Sequence, residues 1–282
     1  MEPRGKVCVI TGATSGIGQV AAEQLAAMGM RLVVVARERA RGEATLARLA
    51  KCGPGVTHSL HVADLSRIAE TKRVAADIAA AEPRIDVLIN NAGGILGARR
   101  LTEDGLERHF ATNHVAYVVL THGLRERLFA SVPARVINTA SAAHQGGRLD
   151  FDDLQLARGY NTIFAYECSK LCNILFTREL ARRWTGSGVT VNCFHPGFTA
   201  TRIGNAAGML SVFIRIAKLF AISPERGART LVYLATSPEV ANTTGGYFAD
   251  NRLIAPSFAA EDDAAAKRLW AETAKLAGLD ER

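Results

Sequence analysis

The 282-residue chain contains no uncharged apolar run approaching the ~20 residues that cross a bilayer. Its opening stretch, Met1 to Lys6, lacks the basic-then-apolar order of an export signal. Cysteine is sparse: of five, only Cys168 and Cys172 lie close together, and there is no second pair at metal-ligand spacing. His109, His114, His144 and His195 are not spaced as a metal set either, and have no acidic partners in register. No metal site is expected, and the thiols read as buried groups in a reducing compartment, so a cytoplasmic protein is expected. Aromatic residues are few, at 6%, and none are interleaved with basic runs. The net charge of +7 therefore does not describe a nucleic-acid-binding face. No Pro/Gly/Ser-rich linker, repeat or low-complexity tract divides the chain, so residues 1–282 are read as one domain.

What is present is an alternation. Short β-branched runs at Val7 to Thr11, Arg31 to Ala36, Val56 to Val62, Val87 to Asn90, Arg135 to Thr139, Val189 to Phe194 and Gly246 to Phe248 read as strands. Longer Ala- and Leu-rich amphipathic runs fill the intervals, and a last helix is expected near 261–277. The apolar strands are nearly continuous rather than alternating, as when helices cover both faces of a parallel sheet. The expected fold class is therefore α/β, a single-domain doubly wound (Rossmann-type) parallel sheet. Two segments break the rhythm. His144 to Asn161 is a polar, Gly-containing insert. The stretch 198–222 follows a Pro-Gly turn and mixes apolar residues with Arg215 and Lys218, which suits a lid over a substrate pocket and also permits contact with a membrane surface.

The first strand runs through Thr11 into Gly12, Thr14, Ser15, Gly16, Ile17 and Gly18, and then a helix. Glycines there let backbone approach a pyrophosphate, and the helix N-terminus offers N–H groups to its charge. At the end of the second strand an acid would bind a ribose 2′-hydroxyl; this chain has Arg37, followed by Arg39 and Arg41. A guanidinium in that place pairs with a 2′-phosphate, so NADP(H) is preferred over NAD(H). After the third strand Asp64 and Leu65 are placed to meet the adenine, with Asp64 serving equally as a helix N-cap. Asn90, Asn91, Ala92 and Gly93 end the fourth strand, where small residues leave room for a ring or sugar and amides can lock neighbouring strands.

Tyr166 and Lys170 are four residues apart, which on a helix stacks a phenol and an ammonium on one face. A neighbouring positive charge lowers a phenol's pKa toward working pH, making it a usable proton donor or acceptor. Ser141 follows the fifth strand at the edge where doubly wound sheets bind ligands, without the Gly-x-Ser-x-Gly setting of a hydrolase nucleophile.

Taken together, Gly12-x-x-x-Gly16-x-Gly18, Asn90-Asn91-Ala92-Gly93, Asn113, Ser141, Tyr166-x-x-x-Lys170 and Pro196-Gly197 resemble the short-chain dehydrogenase/reductase family over roughly residues 5–250. The insert before Tyr166, the run from Ala165 to Ala181 and His195-Pro196-Gly197 resemble its retinol-dehydrogenase-like branch. The resemblance implies a general acid/base at Tyr166 and a substrate-oxygen contact at Ser141. It gives Lys170 two tasks, lowering the phenol's pKa and holding the nicotinamide ribose, and Asn113 the placing of a water that connects Lys170 to solvent. Pro196, Gly197, Thr199 and Thr201 resemble the segment that meets the carboxamide. Ala140 departs from the pattern, standing where related chains often carry a second serine. The expected activity is NADP(H)-dependent interconversion of a carbonyl and an alcohol on a small lipophilic substrate. The alternative is a catalytically silent NADP-sensing or scaffold protein. By analogy with the fold, the helical regions 103–129 and 159–185 would pair two copies in a homodimer or homotetramer.

Overall fold

The computed structural model describes residues 2–197 and 223–280. Thr199, Thr201 and the expected lid at 198–222 lie outside the described residues. One eight-stranded sheet runs in the order β3-β2-β1-β4-β5-β6-β7-β8. Its strands are β1 Val7–Thr11, β2 Arg31–Ala36, β3 Ser59–Val62, β4 Val87–Asn90, β5 Ala134–Thr139, β6 Val189–Phe194, β7 Tyr247–Ala249 and β8 Arg252–Ile254. All neighbouring strands are parallel except β7 and β8. The order reverses between β1 and β4, which opens a crevice at the strands' C-terminal ends.

The central strands β1, β4 and β5 are buried at every position because both faces are covered. In β1, Val7 and Val9 face one core, with Val33, Leu88, Val136 and Phe176, while Cys8 and Ile10 face the other, with Leu32, Ile89, Leu25 and Phe194. The helices α1 Gly16–Ala27, α2 Arg39–Cys52 and α6 Pro224–Thr236 lie on the second side. The helices α3 Ile68–Ala81, α4 Ala116–Gly123 and α5 Thr162–Arg183 lie on the first. α4 continues from Arg108–Phe110 through a π-helical turn at Ala111–Val115. Asn161 ends the polar insert and starts α5, its Oδ1 accepting from the N–H groups of Ile163 (2.9 Å) and Phe164 (3.0 Å).

Two expectations are corrected, and one strand joins those expected. The third strand starts at Ser59, not Val56, since the segment before it turns back on Gly53. Asp64 is not a helix N-cap: Oδ1 accepts from the N–H and Oγ of Ser66, and α3 begins only at Ile68. The antiparallel strand β8 follows a turn at Asp250 and Asn251, both at positive φ, and is too short and exposed to carry a pattern.

The last helix, α7 Asp263–Ala277, lies across α5 and α4. Trp270 stacks on Phe176 with ring centres 5.9 Å apart, and the Arg183 guanidinium sits 4.4 Å from the Trp270 ring centre. His114 Nε2 meets Thr273 Oγ1 at 3.0 Å, and Lys72 Nζ donates to the Gly278 carbonyl. α7 thus covers part of α5 and α4 within the same chain.

Candidate active site

The loop from β1 to α1 is held in a shape that only glycine allows. Gly12 and Gly16 have φ of +72° and +58°, and a Cβ on Gly12 would lie 2.8 Å from Ala92 Cα. Gly18 has ordinary φ, but a Cβ there would overlap the Gly12 carbonyl oxygen and Asn91 Nδ2. Asn91 is the clasp: its Nδ2 donates to the carbonyls of Thr11 (3.1 Å) and Gly12 (3.3 Å). Thr11 Oγ1 accepts from the N–H groups of Asn91 and Ala92, both at 2.9 Å. Thr139 Oγ1 reaches Asn91 Oδ1 at 3.3 Å, which ties β5 to the same turn.

Ser15 precedes α1 without capping it, and no acidic side chain stands in the first turn. The N-terminal end of α1 is therefore left open to an anion, as a pyrophosphate requires. Thr14 belongs to this loop, its carbonyl accepting from Arg41 Nη2 at 3.5 Å, and Ile17 lies buried in the first turn of α1. Arg37 extends from the end of β2 with its side chain 57% exposed, loosely paired to Glu38 at 3.5 Å. Arg41 pairs with the same carboxylate at 3.7 Å, so two guanidinium groups flank the edge where the adenosine ribose would lie. Leu65 packs on the hydrophobic core, and the Asp64 carboxylate already holds Ser66. These residues fit a dinucleotide.

The reacting groups sit on α5 and the turn after β5. α5 is buried on almost every side because it lies between the sheet and α7; its polar residues Lys170, Asn173 and Thr177 reach β5, while Ser169 meets Asn113. Lys170 is 3% exposed, and its Nζ donates to the Thr139 carbonyl at 3.0 Å, alongside Asn173 Nδ2 at 3.1 Å. The same ammonium nitrogen stands 5.6 Å from the Tyr166 ring centre and 6.0 Å from that of Tyr117. The Ser141 side chain is near enough to the Tyr166 phenol to act on its titration. Ser141 Oγ accepts from Ala143 N–H at 3.2 Å, capping the 3₁₀ turn Ala142–Gly146.

The electrostatics depart from the expectation raised by spacing alone. Burial pushes the Tyr166 phenol up from its ordinary value, and the Ser141 side chain only partly opposes this. Burial also brings Lys170 down, to about 7. The amine is thus too weakly charged near neutrality, and too committed to Thr139, to drive the phenol down in this arrangement.

Asn113 sits in the π turn and is fully buried. Its Nδ2 donates to the Gly94 carbonyl (3.1 Å) and Ser169 Oγ (2.9 Å), and its Oδ1 accepts from Gly94 N–H (2.9 Å). A Cβ on Gly93 would overlap that Oδ1, which explains glycine there. The Asn113 side chain therefore joins the Gly93 loop to α5, and the bonds it makes are to protein groups. At the end of β6, Pro196 and Gly197 form a turn closed by Gly197 N–H donating to His195 Nδ1 at 3.1 Å.

Sequence reasoning missed Thr11, Thr139, Asn173 and Ser169, which hold the reacting groups in place. Their one signal is position, at or next to the C-terminal ends of strands, or on the face of α5 that carries Lys170.

The sequence profile described as short chain dehydrogenase matches residues 6–208. The chain belongs to the short-chain dehydrogenase family. Human retinol dehydrogenase 13 is 42% identical to it, with 98% of this chain and 86% of that protein covered. Human retinol dehydrogenase 14 is 38% identical, covering 98% and 87%. Among solved structures, an uncharacterised protein of Mycobacterium paratuberculosis superposes with a TM-score of 0.81 at 29% identity, over 99% of this chain and 96% of that one. The NADP active-site complex of RhlG from Pseudomonas aeruginosa gives 0.68 at 26% identity, covering 88% and 97%. This short-chain dehydrogenase is of the retinol-dehydrogenase-like kind. It is an oxidoreductase of carbonyl and alcohol groups, and its fold is that of nicotinamide-dependent enzymes.

Proposed function

We propose that the chain is an NADP(H)-dependent oxidoreductase that interconverts an aldehyde or ketone and the corresponding alcohol on an apolar, retinoid-like substrate, with Tyr166 as general acid/base. One observation carries the reading: the Tyr166 ring stands 5.6 Å from the buried Lys170 amine, itself tied to the Thr139 carbonyl at the C-terminal end of β5, next to the turn that Ser141 caps. Arg37 and Arg41 support the choice of phosphorylated cofactor, since both lie where an acid would otherwise select an unphosphorylated ribose. The retinoid class of substrate rests on the names of the relatives.

When bound, the nicotinamide supplies or accepts the hydride. In the reducing direction Ser141 donates to the carbonyl oxygen and Tyr166 hands over its hydroxyl proton as charge develops there. The charged fraction of Lys170 stabilises the phenolate left behind, and its Nζ is placed to hold ribose hydroxyls. Because burial keeps the phenol protonated at neutral pH, reduction runs without prior ionisation and falls only as alkaline pH removes the proton; oxidation needs the phenolate and rises with pH. All five cysteines are free, which fits a reducing, cytoplasmic setting. No helix among the described residues is long and apolar enough to cross a membrane.

The test is loss of NADPH absorbance across a panel of lipophilic aldehydes. Tyr166→Phe is expected to lower turnover by about 10²–10⁴-fold with the Michaelis constant for NADPH kept. Near-normal turnover in that variant removes Tyr166 from the mechanism. No absorbance loss with the unaltered protein across the panel would favour a silent cofactor sensor or scaffold.

A further inference from the structure

We propose that His144 is a positioning residue for Ser141, its Nδ1–H holding the carbonyl of the serine's turn in place, with the Ser257 N–H on Nε2 fixing the tautomer that makes this bond. The inference rests on the reading of Ser141 and Tyr166 given above. His144 lies in the 3₁₀ turn that Ser141 caps, and it is fully buried. Its Nδ1 is 2.7 Å from the Ser141 carbonyl oxygen, which can only accept, so Nδ1 carries the ring proton. Its Nε2 accepts from the Ser257 backbone N–H at 3.0 Å. Both contacts are met by one neutral tautomer. The Ser141 carbonyl also receives the His144 backbone N–H at 3.1 Å, so backbone and ring of one residue clamp the same oxygen.

The surroundings fix the ring rather than titrate it. Tyr247 stands edge-on to it, with ring centres 5.1 Å apart at 73° and its hydroxyl 3.4 Å from Nδ1. His195 packs on the other part of Tyr247 at 5.7 Å. Burial lowers the pKa of both imidazoles, so His144 stays neutral and makes no charge available for proton transfer. β7 thus supplies, in Tyr247, the surface between the turn of Ser141 and the turn of Pro196. Ser257 ties the segment after β8 to the first of them.

Two substitutions separate the two bonds. Asn at 144 can present an N–H where Nδ1 stood but cannot reach Ser257; Gln can accept from Ser257 but loses the donor to Ser141. His144→Asn is expected to stay within about threefold of normal turnover, and His144→Gln to lose about tenfold or more in kcat, with the NADPH Michaelis constant and the melting temperature unchanged. In 13C-tyrosine NMR without substrate, the Tyr166 phenol titrates at higher pH in His144→Gln than in His144→Asn, because the Ser141 side chain is misaligned. Nitrogen-15 shifts of the unaltered protein should report a proton on Nδ1. The proposal is overturned by a proton on Nε2, by equal behaviour of the two variants, or by losses that simply follow melting temperature. Ser141→Ala keeps the two questions apart: full turnover there defeats the active-site reading itself, whereas the tyrosine titration judges His144 without any substrate.

Discussion

Lys170→Met should make the protein more stable and inactive. The folded state holds the Lys170 amine almost out of water, where burial brings it from an ordinary 10.5 down to about 7. At about 1.4 kcal/mol per pH unit, keeping that amine charged weakens the fold by about 5 kcal/mol, and near pH 7, where half the charge is given up, by about 4 kcal/mol. Methionine fills the same space without charge. It forfeits the bond to the Thr139 carbonyl, worth about 1 kcal/mol, although Asn173 still donates to that oxygen. The net expectation is a gain of about 3 kcal/mol at pH 7, or roughly 6 °C in melting temperature for a chain of this size. The sign with pH is fixed. The unfolded chain keeps this proton up to 10.5 while the folded chain releases it near 7, so the natural protein gains on the variant as pH rises between those values. Buried groups such as Cys8 and Tyr117, which burial pushes up, weaken both proteins alike at alkaline pH, so the difference between the two is the quantity to follow. Urea unfolding of both proteins at about pH 7, 8 and 9 measures it. A variant less stable than the natural protein at pH 7, or a gap that does not narrow with pH, would refute the account of Lys170 as a group kept at the expense of the fold.

Other expectations can be checked alongside. Arg37→Asp should raise the Michaelis constant for NADPH by about tenfold or more and leave that for NADH nearly unchanged, since it replaces an exposed guanidinium with a carboxylate beside the ribose; equal effects on both would show that Arg37 does not read the phosphate. Gly18→Ala adds a methyl where the Gly12 carbonyl and Asn91 already lie, so the turn must move; NADPH affinity measured by fluorescence titration should weaken, with stability lowered by about 1–3 kcal/mol. Trp270→Ala removes a buried ring from between α7 and α5, and calorimetry should register a loss of about 3–5 kcal/mol.

The sheet was legible because helices cover both its faces, so β1, β2, β4 and β6 are apolar through most of their length, and their ends read correctly to the residue. β8 gave no such signal, since all three of its residues are exposed. The glycine loop, Arg37 and the Tyr166–Lys170 pair were visible because each requires particular residue types at fixed spacing. The direction of the Tyr166 pKa was not. Spacing reports that an amine is near a phenol, but not how much water both have lost, and burial decided the outcome. Asp64 misled for a related reason: an acid before a helix can hold a turn residue instead of the helix end, and only the backbone path tells which. His144 was passed over because a lone histidine carries no pattern. What gives it meaning is Ser257, more than a hundred residues further on and invisible to any local reading.

Closure of the molecule by α7 bears on how it is made. Synthesis runs from the N-terminus, so Phe176, Arg183 and His114 leave the ribosome well before Trp270 and Thr273 that cover them. An unfinished polypeptide therefore carries the helix of the reacting tyrosine with one flank bare, a surface suited to holding by a chaperone. The helix gains its second support only when α7 arrives, so competence for turnover should emerge late in translation and not with completion of the nucleotide-binding half.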